Sequence, residues 1–525
     1  MKDRPQIEWG PIDAKDEDDI PFFNKFVENS SLKELLATYR PLISGEKGSG
    51  KSAFRRYLVE QHRKADQPVK EISFDDMEFS GIVQNLNYLI EYTTQQPLSI
   101  LSQYWQFTLF ITAMRACMDK QATHLTTEET IIQEYLQDSG FSEMGVVSMM
   151  YTLTVNAIKK IEHATDPSDK RDFDRLKLPT SLSPQVYETI KKYPLFDPAF
   201  IKAKNAFAKY LDKGTIKPLV TLDDFDNIKA KSSMVREKIQ TVFDALISAV
   251  YTISTSKSFR NSLLIYCFIP HDRFVAADLR DYDKIDYKHK SIVWDYESIK
   301  MLVERRIQVS IGDNVIFDDV WPKLFPAEIK NECYQFKENS FDYLLRHTQY
   351  RPRQLLRTLE ALELKARAGQ LDADGFSSTI HSMAKKNVEA FIKEYTIDHP
   401  SLKKFCARFK NFPNVVEYSD FRQLVDKAIA DYGSYVSTDE KVDQLYNIGF
   451  FGTIKILREH EYREYSKKHY IPPALKDGTK YVCEYYYHKP EESISNSMKG
   501  DELVAVHPMF FDFCEQAAHH LYLVG

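Results

Sequence analysis

The amino-acid sequence predicts an α/β core built on a parallel sheet, with a large helical insertion, a helical region after it and a winged-helix-like terminal module. Three observations predict this. Residues 41–74 run as an apolar strand, a Gly-rich loop, a helix and a second strand, the beginning of an α/β sheet. Two further apolar runs, Lys217–Leu222 and Asn261–Ile269, flank a stretch from Met234 to Thr252 with clean helical spacing. Each run is continuous instead of alternating, the pattern of strands in a parallel sheet covered on both faces.

Taken in order, residues 1–22 are polar, acidic and Pro-containing and read as an N-terminal arm. An amphipathic helix is expected over Asn24–Tyr39, a strand at Pro41–Ser44, a helix over Ser52–Ala65 and a strand at Val69–Phe74. The mostly helical stretch that follows is too long for a crossover connection, so residues 80–209 read as an insertion within a core of residues 23–292. It holds an aromatic-rich run around Trp105, a Met-rich segment at Met144–Met150 and a charged stretch from Asp166 to Lys177. Its most apolar helix, Tyr104–Met118, is too short to span a bilayer and carries Gln106 and Arg115, so it reads as buried and no membrane partner is expected. Helical patterns at Tyr296–Arg306, Leu344–Ala368 and Phe376–Thr396 make residues 293–398 a helical lid, bounded by His399-Pro400. Residues 399–525 place helices at Ser401–Phe409, Asp420–Tyr432 and Glu440–Asn447 before strands at Gly452–Leu457, Lys480–Tyr487 and Glu502–His507. Ser437 and Glu440 form a capping-box pattern ahead of the third helix. Helices followed by a strand pair are the layout of a winged-helix domain.

With 28% charged and 43% hydrophobic residues, the 525-residue chain excludes a wholly disordered or fibrous protein. Its net charge of −6 excludes a globally basic, histone-like or coat protein. The six cysteines are widely spaced, without a C-x-x-C pair, which argues against a disulfide scaffold or structural zinc and for a reducing compartment. The acidic N-terminus reads as neither secretory signal nor transit peptide, and a cytoplasmic location is expected.

The segment Gly45-Glu46-Lys47-Gly48-Ser49-Gly50-Lys51-Ser52 matches the phosphate-loop pattern G-x-x-x-x-G-K-[ST], between a predicted strand and a predicted helix. Three of only 17 glycines fall within six positions. Gly48 and Gly50 let the backbone turn its N–H groups inward as an anion nest at a helix N-terminus, which Ala53 continues. Lys51 is placed to reach the β- and γ-phosphates of ATP, and the Ser52 hydroxyl to ligate Mg²⁺. The run Leu219-Val220-Thr221-Leu222-Asp223-Asp224 is an apolar strand ending in two carboxylates. Set beside the phosphate loop, Asp223 would hold Mg²⁺ through water and Asp224 would polarise the attacking water. A polar sensor of the γ-phosphate is expected where the strand Leu263–Ile269 ends, at His271 or Asp272. Arg351 or Arg353, around Pro352 at a helix start, could reach a bound phosphate from the lid. Arg260, Arg280, Arg305 and Arg306 are candidate fingers toward a neighbouring subunit.

These residues, together with Trp294–Ile307, the Arg-Pro-Arg helix start, Leu445–Phe450 and His507–Phe510, resemble bacterial P-loop ATPases of the STAND-like AAA+ group. These are relatives of origin-recognition-type ATPases with a C-terminal winged helix, often found in mobile and anti-phage loci. The resemblance runs from about Phe23 to the end and is least specific in the insertion. It implies the roles above for Lys51, Ser52, Asp223 and Asp224, and favours Arg353 as the lid sensor. Most AAA+ machines carry Glu after the Mg²⁺-ligating Asp; Asp224 is one methylene shorter, which the STAND group tolerates in slow switches.

Other constellations read more plainly. His460, His469, His519 and His520 lie on charged or terminal stretches and read as solvated, and Tyr485–Tyr487 reads as strand packing before base stacking. Lys403-Lys404 and Lys467-Lys468 could touch a phosphate backbone, so nucleic acid stays open as a partner. The expectation is an ATPase whose nucleotide state gates oligomer assembly and a separately encoded effector. The alternatives are an ATP-licensed DNA-binding regulator or loader using the winged helix, a kinase using the same loop, and an interaction-only protein with a degenerate nucleotide site.

Overall fold

A computed structural model describes residues 4–74, 97–119, 125–140, 145–146, 148–150, 195, 197–225, 233–279, 281–331, 336–395, 402–410, 412–413, 415–432, 437–465, 481–485, 494–495 and 497–514. The chain divides into two compact units, one made of residues 34–47 and 51–292, the other of residues 1–33, 48–50 and 293–525.

The first unit holds a five-stranded sheet, β1 (Leu42–Gly45), β2 (Val69–Ser73), β3 (Leu219–Asp223), β4 (Leu264–Pro270) and β5 (His289–Ser291), in the order β2-β3-β4-β1-β5. Every pairing is parallel, with Leu42 opposite Cys267 and Leu219 opposite Leu264. All positions of β1 and β3 are buried, which is why these segments are unbroken apolar runs. Helix α1 (Lys51–Lys64) packs on β1 to β4, and α2 (Pro97–Met118) and α5 (Ser233–Thr255) pack on the sheet and on each other. Helices α3 (Thr127–Asp138) and α4 (Pro198–Asp212) pack together, with α3 also against α2. The expected helical character of residues 80–209 is seen at α2 to α4; Met144 and the Asp166–Lys177 stretch lie outside the described residues. In α2, Tyr104, Trp105, Phe107 and Phe110 are buried, and no described helix is long and apolar enough to cross a membrane.

Two features of the sheet lay beyond the sequence reading. β3 does not lie directly beside β1, because β4 is inserted between them, and β5 adds an edge strand that the polar His-Lys-Ser sequence concealed. This order and the loop between β1 and α1 make the unit an α/β P-loop NTPase fold.

In the second unit, α6 (Tyr296–Ile311), α7 (Phe317–Leu324), the hairpin of β6 (Glu328–Asn331) and β7 (Phe336–Asn339), α8 (Ser340–Arg346), α9 (Pro352–Arg367) and α10 (Ala373–Tyr395) surround a core containing Trp321, Phe341, Leu359 and Phe376. The N-terminal segment, expected to be an arm, contributes Ile7 and Trp9 to this core. The Nε of Arg306 donates to Trp9 O at 2.8 Å, and Arg4 pairs with buried Glu363 at 3.0 Å. Two apolar side chains seven and nine residues into an acidic stretch were too few to show a periodic pattern. The single helix expected over residues 24–39 is two short ones, Asp19–Lys25 and Ser30–Ala37, and Asn29 between them accepts from Leu32 N at 2.8 Å.

Residues beyond 400 form α11 (Leu402–Arg408), α12 (Tyr418–Tyr432), α13 (Thr438–Asn447) and a four-stranded antiparallel sheet. Its strands are β8 (Val415–Glu417), β9 (Phe451–Ile456), β10 (Tyr481–Tyr485) and β11 (Leu503–Val506), in the order β10-β9-β11-β8. β8 escaped sequence reading because it is three residues long. The core here includes Phe405, Phe409, Phe421, Phe450, Phe451 and Phe510. Helix α10 serves both cores: Phe376 and Ile380 face the first, and Phe391, Ile392 and Tyr395 the second.

His507 sits between these elements, 1% exposed, with Nδ1 accepting from Met509 N at 3.1 Å. Burial, reinforced by the Arg351 charge, pushes its pKa down to about 3. Between pH 6.5 and about 3 the unfolded chain takes up a proton that the folded chain refuses, so this group removes stability as pH falls, by about 1.4 kcal/mol per pH unit. Denaturant unfolding at pH 7, 6 and 5 will show that loss, and His507→Gln will flatten the slope by about that amount per unit.

Candidate phosphate-binding site

Strand β1 ends at Gly45 and α1 starts at Lys51, so the intervening loop delivers its backbone to a helix N-terminus. Gly48 and Gly50 have φ of +81° and +99°, left-handed values that an L side chain adopts only with strain. The Lys51 side chain is buried and its Nζ donates to Gly45 O at 2.8 Å and Glu46 O at 3.3 Å, spanning the mouth of the loop. Ser52 and Ala53 follow in the first turn of α1, both half-buried. Ser49 Oγ is buried with no hydrogen-bond partner among the described residues.

Asp223 closes β3 at 2% exposure, and Asp224 follows with φ +71°, a left-handed conformation rare outside Gly, Asn and Asp. Sequence reading missed the residue that joins them. Arg55 lies one turn beyond Lys51 on α1, and its Nε stands 3.5 Å from Asp223 Oδ2 while its Nη1 stands 3.8 Å from Asp224 Oδ2. On the β2 side, Arg55 Nη1 donates to Ser73 Oγ at 3.2 Å and Nε lies 3.8 Å from Glu71 Oε2. The i+4 spacing from Lys51 was the available signal, but without the sheet order nothing distinguished Arg55 from Arg56. Burial raises the Asp223 pKa and so does Asp224, while Arg55 and Lys51 oppose the rise.

These donors suit the groups expected here. The orphaned Ser49 hydroxyl and the left-handed glycines suit phosphate oxygens. A buried carboxylate whose Oδ2 lacks a hydrogen bond among the described residues, with the Ser52 hydroxyl in the same unit, suits a hard divalent cation such as Mg²⁺.

At the end of β4 the two sensor candidates differ in placement. His271 is buried, its Nδ1 3.0 Å from Ser44 Oγ on β1, and Ser44 also meets His289 Nε2 at 2.7 Å and Ser291 Oγ at 2.8 Å. Burial lowers the His271 pKa, countered by Glu46 and assisted by His289 and Lys51. The Asp272 side chain stays half-exposed beside Arg273. In the second unit, Arg351 is buried over the Phe391 ring at 5.6 Å, whereas the Arg353 guanidinium is partly exposed, 3.7 Å from Asp13 Oδ2. The Arg353 backbone N donates to Gly48 O at 3.4 Å, and Trp294 Nε1 donates to Ser49 O at 2.7 Å. Among the finger candidates, Arg306 is buried and donates to the backbone carbonyls of Trp9 and Lys25. Arg305 holds Asn24 O and Asp313, Arg260 is exposed, and Arg280 lies outside the described residues. Lys467, Lys468, His469, Tyr486, Tyr487, His519 and His520 also lie outside them, while Tyr485 is buried in the sheet.

Residues 297–392, the helices α6 to α10, are similar to the FunZ-associated C-terminal helical domain. No curated protein matches the chain. Among solved structures it is similar to the Aeropyrum pernix ORC2 protein. The ADPNP–ADP complexes are 11% identical over 86% of each chain with a TM-score of 0.31. The ADP form is 11% identical over 81% of this chain and 84% of that one, with a TM-score of 0.26.

The two glycines differ in what surrounds them. A Cβ at Gly48 would stand 2.9 Å from Arg353 Cβ, in the first turn of α9, whereas one at Gly50 would meet only Trp294, at 3.9 Å. Gly50→Ala will therefore cost about 1–2 kcal/mol from backbone strain alone, and Gly48→Ala will cost more, read by thermal and denaturant unfolding of the two variants in parallel.

Proposed function

We propose that the chain is an ATP-binding and ATP-hydrolysing enzyme of the AAA+/STAND-like type, with residues 293–398 as a helical lid and residues 399–525 as a winged-helix domain. The observation that carries this reading is the pairing of a complete phosphate loop after β1 with two carboxylates at the end of β3, in one parallel sheet. In this reading the loop amides of Gly45 to Ala53 and the Lys51 ammonium hold the phosphates, and Ser52 and Asp223 hold Mg²⁺. The cation, when bound, neutralises charge on the transferring phosphoryl group. Asp224 orients the attacking water and accepts its proton, His271 reports the γ-phosphate to β1 through Ser44, and Arg353 senses the phosphate from the lid. Hydrolysis or exchange then gates assembly of a cytoplasmic homo-oligomer and a separately encoded effector, in an anti-phage role.

The DNA-binding alternative is the less favoured because of the charge on the second and third helices of the terminal module. α12 carries Asp420, Asp426 and Asp431 against Arg422 and Lys427, and α13 carries Asp439, Glu440 and Asp443 against Lys441, so each is acidic on balance, and Arg422 is paired with Asp439 at 2.9 Å. Helices of that sign repel a phosphate backbone.

Steady-state phosphate release from ATP, measured at several protein concentrations, tests the proposal. Lys51→Ala and Asp224→Asn are expected to lower turnover by about 100-fold or more, and wild-type turnover per subunit is expected to rise with concentration. Turnover unchanged in Lys51→Ala would remove the site assignment. A salt-dependent affinity for duplex DNA that ATP strengthens would replace the effector reading with the DNA-binding one.

A further inference from the structure

The buried Arg55 has two sets of partners on two strands. From β3 it faces Asp223 at 3.5 Å and Asp224 at 3.8 Å; from β2 it faces Ser73 at 3.2 Å and Glu71 at 3.8 Å. Glu71 is held in turn by Arg63 at 2.8 Å. The contact to Asp223 is unusual for an arginine. A guanidinium beside a carboxylate normally forms short, charge-assisted hydrogen bonds, yet here Arg55 Nε and Asp223 Oδ2 are both buried and neither has a hydrogen bond among the described residues. The charge is matched while the bonding capacity is not. Such a pair supplies the cation that a buried carboxylate needs, but it lacks the hydrogen bonds that would make it hard to displace. The Ser73 and Glu71 contacts give the guanidinium a seat that does not depend on Asp223.

We propose that Arg55 is a built-in counter-cation that competes with Mg²⁺ for Asp223, a positioning residue that sets the metal requirement of the site. This rests on the reading of Asp223 as a metal-holding group. Without metal, Arg55 neutralises the acidic pair and keeps Asp223 folded into the sheet. When Mg²⁺ arrives with nucleotide, Asp223 exchanges one cation for the other, and Arg55 stays on Ser73 and Glu71. The chain thereby exists stably without nucleotide, and metal binding must overcome a resident positive charge. Two cations competing for one carboxylate are negatively coupled, and couplings of this kind change affinity about 5- to 150-fold.

The test compares wild type, Arg55→Gln, Arg55→Lys and Lys51→Ala. Each is melted in EDTA and in rising Mg²⁺ without nucleotide, then titrated with a fluorescent ADP across the same Mg²⁺ series. Arg55→Gln is expected to melt lower than wild type in EDTA and to regain stability with Mg²⁺ alone, while wild type moves little. Its half-saturating Mg²⁺ for ADP binding is expected to fall about 5-fold or more, with Arg55→Lys between the two. An unchanged Mg²⁺ midpoint in Arg55→Gln, or a lowered melting temperature that Mg²⁺ does not restore, would overturn the proposal and leave Arg55 a packing residue. If Arg55→Gln does not fold, Arg55→Lys decides by the same midpoint. Failure of wild type to bind ADP, as in Lys51→Ala, would instead overturn the nucleotide reading, and the metal-only melts would still judge Arg55.

Discussion

Moving a carboxylate out of water without a partner is among the costliest acts in folding, and Asp223 is 2% exposed at the end of a strand buried at every position. Several segments of the first unit converge on that carboxylate. Arg55 reaches it from α1, one turn beyond Lys51, whose Nζ donates to Gly45 O. The parallel sheet converts these separate segments into one locus, since β1 and β3 both end on the same edge with β4 between them. The Ser44, His271, His289 and Ser291 side chains hydrogen-bond to one another where β1, β4 and β5 meet. Burial disfavours a charge on His271, and His289 turns its other ring nitrogen, Nδ1, to within 3.3 Å of Asp286 Oδ1.

In the second unit the organising element is α10. Its first half completes the core around Trp321 and Phe341, and its second half enters the core around Phe450 and Phe510. Polar contacts reinforce the join. Gln349 Nε2 donates to Ile448 O and Gly449 O at 3.0 and 3.2 Å, and His381 links Tyr343 OH at 2.7 Å with Asp512 at 2.6 Å. His347 and His507 are buried nearby, both held toward the neutral form by desolvation. The helical region and the terminal module expected as separate stretches therefore share one helix and one hydrogen-bonded seam.

The local elements were legible because their causes are local. Apolar runs marked β1, β3 and β4 to within a few residues, helical spacing marked α1, α5 and α9 to α13, and Ser437 caps Glu440 N where the pattern placed the cap. Most of the elements that escaped were short: β5, the β6–β7 hairpin and β8 are three or four residues long and carry no periodic apolar signal, and α7 escaped as well, an eight-residue helix with Pro322 inside it. Ile7 and Trp9 were hidden for the same reason, two apolar residues in an acidic segment whose packing partners lie some 300 positions away.

By itself the sequence determined the phosphate loop, because the glycine spacing, the lysine and the hydroxyl are consecutive and their chemistry needs only a strand before and a helix after. It also determined that an apolar strand ends in two carboxylates. Only the tertiary structure decided that β4 separates that strand from β1, that His271 and not Asp272 turns inward, that Arg306 is consumed by backbone carbonyls, and that Arg55 is the cation facing Asp223 and Asp224. Each of those depends on which residues distant in sequence are brought together, and side-chain charge is short-ranged enough that a partner at 3.5 Å outweighs any neighbour along the chain.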